Sequence, residues 1–253
     1  LNNLTSVITA YGHTLATTLT DGVLNAPSVT VTAATYSANL TAIDSISPHG
    51  TVRVIGTAAQ IAALGAALAA DVVVGEVNVS DTAANILSNL TDLNAIGAKF
   101  TEASITDTSI NATEAAGLFA VPNLVASSLT ILDTGPQIAA AVAAASAEEL
   151  AFLNAHTILL SADSIVTAAG ALALQGLTSL DKNGHTLVVW DTASHLIDSI
   201  DGYLAAVNSP MIDGVHLKTT SGTATVSPST ASTLLSITNF SKNDPSGTPN
   251  ILI

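Results

Sequence analysis

The chain has 253 residues, 48% of them hydrophobic, yet only 9% are charged and 3% aromatic. Five basic residues (Arg53, Lys99, Lys182, Lys218, Lys242) face nineteen acidic ones, giving a net charge of −14. That balance excludes nucleic-acid binding, which needs Lys/Arg clusters to displace counterions, and disfavours anionic membrane surfaces. The absence of cysteine excludes a disulfide framework and a thiolate metal site, and it favours a bacterial exoprotein over a eukaryotic one. Ala, Thr, Ser, Val, Leu and Ile dominate, which suits thin, regular layers of small side chains. No N-terminal stretch joins a basic region to an apolar one. The most apolar stretches, Ala58–Val74 and Ile138–Leu153, are interrupted by Gln60, Asp71, Glu148 and Glu149. Both read as buried segments, and no membrane span is expected.

Taken in chain order, residues 1–27 fit no repeat and read as an N-terminal cap or assembly segment. Short apolar–x–apolar strands then recur: Val29-Thr30-Val31, Val52-Arg53-Val54, Val77-Asn78-Val79, Ala103-Ser104-Ile105, Leu129-Thr130-Ile131, Ile158-Leu159-Leu160, Leu187-Val188-Val189 and Val215-His216-Leu217. The first five begin 23, 25, 26 and 26 residues apart, and later spacings stretch to 28 or 29. After Val52–Val54 come Gly56-Thr57 and then Ile61, Leu64 and Leu68 at helical spacing. After Val77–Val79 come Ser80-Asp81-Thr82, then Ile86, Leu90 and Leu93; after Leu187–Val189 come Asp191-Thr192, then Leu196, Ile200 and Leu204. The period switches from 2 to about 3.6 within each repeat, the mark of a strand followed by an amphipathic helix. Asp or Thr at the junction suits an N-cap.

Successive strands joined by a helical crossover are parallel, and the crossover is right-handed. No single repeat buries both its strand and its helix, but a stack does. The sequence therefore predicts an α/β right-handed solenoid of about eight strand–helix repeats over residues 28–218, with a parallel sheet on one side. A β-helix is the alternative fold, disfavoured by the Ala-rich Ala58–Ala70 and Ala139–Leu153. Residues 219–253 read as a C-terminal cap or a secretion or assembly tail.

Three stretches carry a family resemblance. Val79-Ser80-Asp81-Thr82-Ala83-Ala84-Asn85-Ile86 and Ala103-Ser104-Ile105-Thr106-Asp107-Thr108 resemble a repeat of very large bacterial exoproteins. So does Glu114-Ala115-Ala116-Gly117-Leu118-Phe119-Ala120-Val121-Pro122-Asn123, followed by Leu129-Thr130-Ile131-Leu132-Asp133-Thr134. That family alternates a "VSDTAANI…L" element with a "T…A…L…LPN…" element, and the likeness is clear over about residues 50–135. It implies an α/β solenoid and a secreted surface or adhesin-like protein, many of whose relatives are products of type I secretion alongside calcium-binding RTX proteins. Asn250-Ile251-Leu252-Ile253 is similar to the short apolar tails of type I secreted proteins, with Asn where those carry an acid; a last edge strand is the other reading.

The junction acids Asp81, Asp107, Asp133 and Asp191 stack in such a fold about 4.8 Å apart, so each needs an offsetting charge or donor. A helix N-terminus supplies one, and Ca²⁺ between repeats supplies the other. Gly56 and Ser161 at aligned junctions carry no acid, which favours capping over Ca²⁺. His156 and His185 each precede Thr-apolar-apolar, His49 lies near Thr51, and His216 lies in its strand; these read as turn positions rather than metal ligands. Ser194-His195 are adjacent and point apart on a helix. Glu148-Glu149 read as a solvated face rather than paired catalytic carboxylates. No nucleophile elbow, phosphate loop or zinc-protease motif occurs. No catalytic, cofactor-binding or metal residue is assigned, and the chain is expected to be non-enzymatic. The function these features imply is an extracellular structural protein forming a homo-oligomer or polymer as a surface layer, filament or matrix. The alternative is an adhesin or a module that binds proteins or cell-surface glycans.

Overall fold

In the computed structural model, residues 28–44, 51–126, 129–198, 211–219, 224–237, 239–241 and 251–252 are described. The apolar segment 1–27, His49, Ile200, Leu204 and Asn250 lie outside them. The protein is an α/β structure of alternating strands and helices that builds three parallel sheets and one further parallel strand pair. Two compact units divide the chain. One comprises Leu1–Asp107 with Ala120–Ser127, and the other Thr108–Phe119 with Ser128–Ile253.

In the first unit the sheet runs in sequence order through Ser28–Thr32, Thr51–Gly56, Val74–Asp81, Phe100–Ile105 and Leu124–Val125, each strand parallel to the next. Strand alternation sends Val31, Val52, Val54, Val77, Val79 and Ala103 into the core. Helices Ala33–Ala38, Ala58–Ala62 and Ala83–Ser88 follow three of these strands. Each bears a Thr N-cap (Thr32, Thr57, Thr82) whose hydroxyl accepts from the third helical amide. Each buries its first and fourth residues: Ala33 and Tyr36, Ala58 and Ile61, Ala83 and Ile86. The continuous helices expected after Gly56-Thr57 and Asp81-Thr82 are broken. The backbone leaves the helical region at Leu64 and Asn89 (ψ 0° and 6°), and new helices start at Gly65–Ala70 and Leu90–Asn94. These second helices bury Leu68 and Leu93, while Leu64 and Leu90 stay half-buried.

The second unit holds two four-stranded parallel sheets. One orders Leu180–Asp181, Thr157–Leu160, Thr130–Asp133 and Ser109–Ile110; the other orders Phe240–Ser241, Gly214–Leu217, Leu187–Asp191 and Ser164–Val166. Its helices include Ala112–Leu118, Gly135–Ala144, Ala147–Asn154, Ala168–Leu174 and Ala193–Asp198. The apolar run 138–153 is two helices, because Ser146 starts the second with a capping box: Glu149 N–H donates to Ser146 Oγ and Ser146 N–H to Glu149 Oε2. Glu148 is exposed, as a solvated face requires. Parallel strand–helix alternation also runs beyond residue 218, through Ala224–Thr225, Pro228–Leu235 and Phe240–Ser241.

All eight expected strands are present and pair in parallel, within a residue or two of their expected ends, save that Val77–Val79 and Ala103–Ile105 each start three residues earlier. Additional strands of two or three residues, such as Ser109–Ile110 and Ser164–Val166, were not expected. They follow the three-residue offsets Thr106-Asp107-Thr108 and Ser161-Ala162-Asp163, and they are too short for a periodicity to register.

Candidate functional site

The chain stitches neighbouring repeats together at both ends of the strands. At the strand exit, the expected Asp and Thr caps are both present but divided: Thr57 and Thr82 cap their own helices, and the junction Asp side chains, with Ser164, cap the helix of the preceding repeat. Ala58 N–H donates to Asp81 Oδ2 at 3.0 Å and Ala83 N–H to Asp107 Oδ2 at 2.7 Å. In the second unit Ala112 N–H donates to Asp133 Oδ2 at 3.1 Å, Gly135 N–H to Ser164 Oγ at 2.8 Å and Ala168 N–H to Asp191 Oδ2 at 3.0 Å. Each donor is the first amide of its helix. A Thr or Asn N-cap reaches the third amide, as Thr57, Thr82, Asn111 and Thr167 do, so the first would lack an acceptor without the neighbour. The second carboxylate oxygen of Asp81, Asp133 and Asp191 accepts from the following Thr N–H at 2.7–2.8 Å. Ser164, not Ser161, fills the non-acidic position. At Gly56 no side chain intervenes, and a Cβ there would lie 3.1 Å from Ala33 Cβ.

Burial works against ionisation of Asp81, but hydrogen bonds from Asn85 and from the Thr82 and Ala58 amides outweigh it and lower its pKa. Burial likewise opposes the charge of Asp191, and the Ala168 and Thr192 amides with His195 reverse the balance and lower its pKa. These carboxylates are occupied as caps. Among the described residues, no three His, Cys, Asp or Glu side chains gather as metal ligands.

At the strand entry, Asn123, Asn183 and Asn239 adopt left-handed backbone conformations (φ 54°, 54° and 62°). Asn is among the few side chains that tolerate this region. Their amides reach the preceding repeat, donating to Phe100 O at 2.7 Å, Leu160 O at 3.3 Å and Ile212 O at 3.1 Å. The Pro122-Asn123 of the quoted motif is one of these turns. Lys99 closes the C-terminal end of the Gly65–Ala70 helix, its ammonium donating to the carbonyls of Leu68, Ala69 and Asp71.

The described histidines stay apart. His156 Nδ1 lies 2.8 Å from Phe152 O, with the two rings 4.6 Å apart. His185 Nδ1 is 3.6 Å from Asp163, and His216 pairs in register with Trp190. His195 Nδ1 lies 2.7 Å from Asp191 Oδ1, whereas Ser194 Oγ meets Thr192 Oγ1 at 3.1 Å, so Ser194 and His195 do not form a nucleophile–base pair.

A feature not read from the sequence is a groove of about 650 Å³ on the outer face of the first unit's sheet, lined among others by Ile55, Gln60, Asn78, Ser80, Glu102 and Ser104. Register builds it: Ile55 sits beside Asn78, Asn78 beside Glu102, and Ser80 beside Ser104 on successive parallel strands. Asn78 Nδ2 donates to Glu102 Oε2 at 3.1 Å, Ser104 Oγ to Glu102 Oε1 at 2.8 Å, and Thr101 Oγ1 to Asn78 Oδ1 at 2.9 Å. The sequence signal available was only polar alternation between inward valines.

The fold and these features define an α/β protein with parallel sheets of strand–helix repeats. In comparisons with known proteins, no family model matches the chain, and no curated protein or solved structure is significantly similar to it. Among the described residues, no helix is long and apolar enough to cross a membrane.

Proposed function

We propose that the chain is a solenoid segment of an extracellular, non-enzymatic bacterial surface or matrix protein, and that copies of it stack into a layer or filament. The observation that carries this reading is the direction of the stitching. Within each unit, repeats complete the helix of the one before them, through Asp81 and Asp107 in the first and Asp133, Ser164 and Asp191 in the second, an arrangement that suits the addition of like repeats in one direction. The Ser28–Thr32 strand pairs on one side only among the described residues. It alternates Val and Thr without Pro or Lys, the residues that protect natural edges. A head-to-tail contact that does not close produces a fibre. Type I secretion, suggested by the quoted repeats, fits an extracellular site.

Electron microscopy and analytical ultracentrifugation of the purified chain, with and without Ca²⁺, test this reading. Filaments or sheets that disperse when residues 1–8 and 249–253 are deleted support it. A chain that stays monomeric at high concentration in both conditions overturns it. The groove favours a second reading, an adhesin or glycan-binding module, in which the repeats form a rigid platform.

A further inference from the structure

We propose that the outer groove of the first unit binds an extended, neutral, β-1,4-linked oligosaccharide; this rests on the binding-module reading and is independent of assembly.

The groove crosses successive strands, so its side chains repeat at the strand spacing of about 4.8 Å. That is close to the length of one sugar in an extended β-1,4-linked chain. Its polar groups suit hydroxyls. Glu102 is held in place by Asn78 and Ser104, one bond on each oxygen, and each oxygen keeps lone pairs for a further donor. Gln60 Oε1 accepts from Thr57 N–H, while Gln60 Nε2 and Ser80 Oγ donate to no group among the described residues. Ile55, 38% exposed, gives an apolar spot for a ring face. Such a mixed lining, prearranged by side-chain bonds, lowers the ordering cost of binding.

Other ligands fit less well. A divalent cation takes six to eight oxygens and usually several carboxylates, but among the described residues Glu102 is the single carboxylate lining the groove, and Glu76 on the same face is paired with Arg53. An anion meets Glu102 without a basic side chain among the described residues of the lining.

Isothermal titration of the full chain with cellohexaose, xylohexaose and chitohexaose, against the curved α-1,4-linked maltohexaose, tests the inference. At least one β-1,4-linked hexasaccharide should bind more tightly than maltohexaose. Glu102→Gln and Ser80→Val should each weaken it tenfold or more, with circular dichroism unchanged. The exposed Leu132→Thr in the second unit serves as the control and should leave binding intact. Binding that is indifferent to Glu102→Gln and Ser80→Val overturns the groove assignment while leaving the binding-module reading standing. A monomeric chain that binds none of the hexasaccharides also overturns the groove assignment, because particle size judges the binding-module reading separately.

Discussion

The two compact units are each packed by the same kind of interior and differ on the outside. Inward positions follow one rule in both: Val52, Val54, Val77 and Val79 in the first, and Ile131, Ile158, Leu160, Leu187 and Val189 in the second, are all buried. Outward positions diverge. The first unit presents Arg53, Glu76, Asn78, Glu102 and Ser104, joined by side-chain hydrogen bonds, with Ser80 beside them. The second sets Leu132 beside Leu159, Ile165 beside Val188 and Trp190 beside His216, with Leu132 37% and Ile165 46% exposed. The repeat is thus specified from inside, and its outer face is left free to carry different surfaces.

The largest effects should come from the interior. Ile158→Ala empties a site that is 1% exposed and should cost about 2–5 kcal/mol in urea unfolding. Gly135→Ala places a Cβ 2.8 Å from Ser164 Cβ and 2.9 Å from Leu187 Cδ1, too close for a packed interior. It should cost about 1–3 kcal/mol and disturb the Gly135–Ser164 hydrogen bond. A similar loss for both an interior and an outer variant would dissolve the distinction between the two faces.

The stitches rank next. Asp191→Ala leaves the Ala168 and Thr192 amides without their acceptor and should cost about 1–3 kcal/mol. Its pH dependence has a definite sign. Burial opposes the carboxylate, but the two amides and His195 hold its pKa below the ordinary 3.8. Its stabilisation is therefore full above the unfolded-state value and falls away as pH drops through the lower native one. Asp191→Asn should flatten that acid limb in melts recorded from pH 6 down to about pH 2. At the small end, Leu132→Thr on the outer face should change stability by no more than about 0.5 kcal/mol.

The eight strands were legible because an inward-facing apolar–x–apolar triplet records burial on one face directly. The quoted motif also marked a structural turn, since Pro122-Asn123 leads into the left-handed bend that binds Phe100 O. Partners across repeats were not legible. Asp81 and Ala58 are 23 residues apart and Gly135 and Ser164 are 29 apart, and no local periodicity links them. The Asp-Thr pairs were legible as caps, but which helix the Asp serves was not: Thr82 caps its own helix, whereas Asp81 reaches the one before. Ser164 was missed because a hydroxyl replaces the carboxylate and the short strand Ser164–Val166 shifts the junction by three residues. The groove was invisible for a further reason: its walls come from several strands at once, and only register decides which polar residues stand side by side.

Asp107 offers the most direct test of stitching between repeats, because its carboxylate accepts from the Ala83 amide at 2.7 Å and not from its own following residue. Amide hydrogen exchange by NMR on Asp107→Ala should show the Ala83 amide and the Ala83–Ser88 helix losing protection, with the Ala112–Leu118 helix unchanged. Loss of protection at Ala112–Leu118 with Ala83–Ser88 intact would contradict the account and make the junction acid a cap of the helix that follows it.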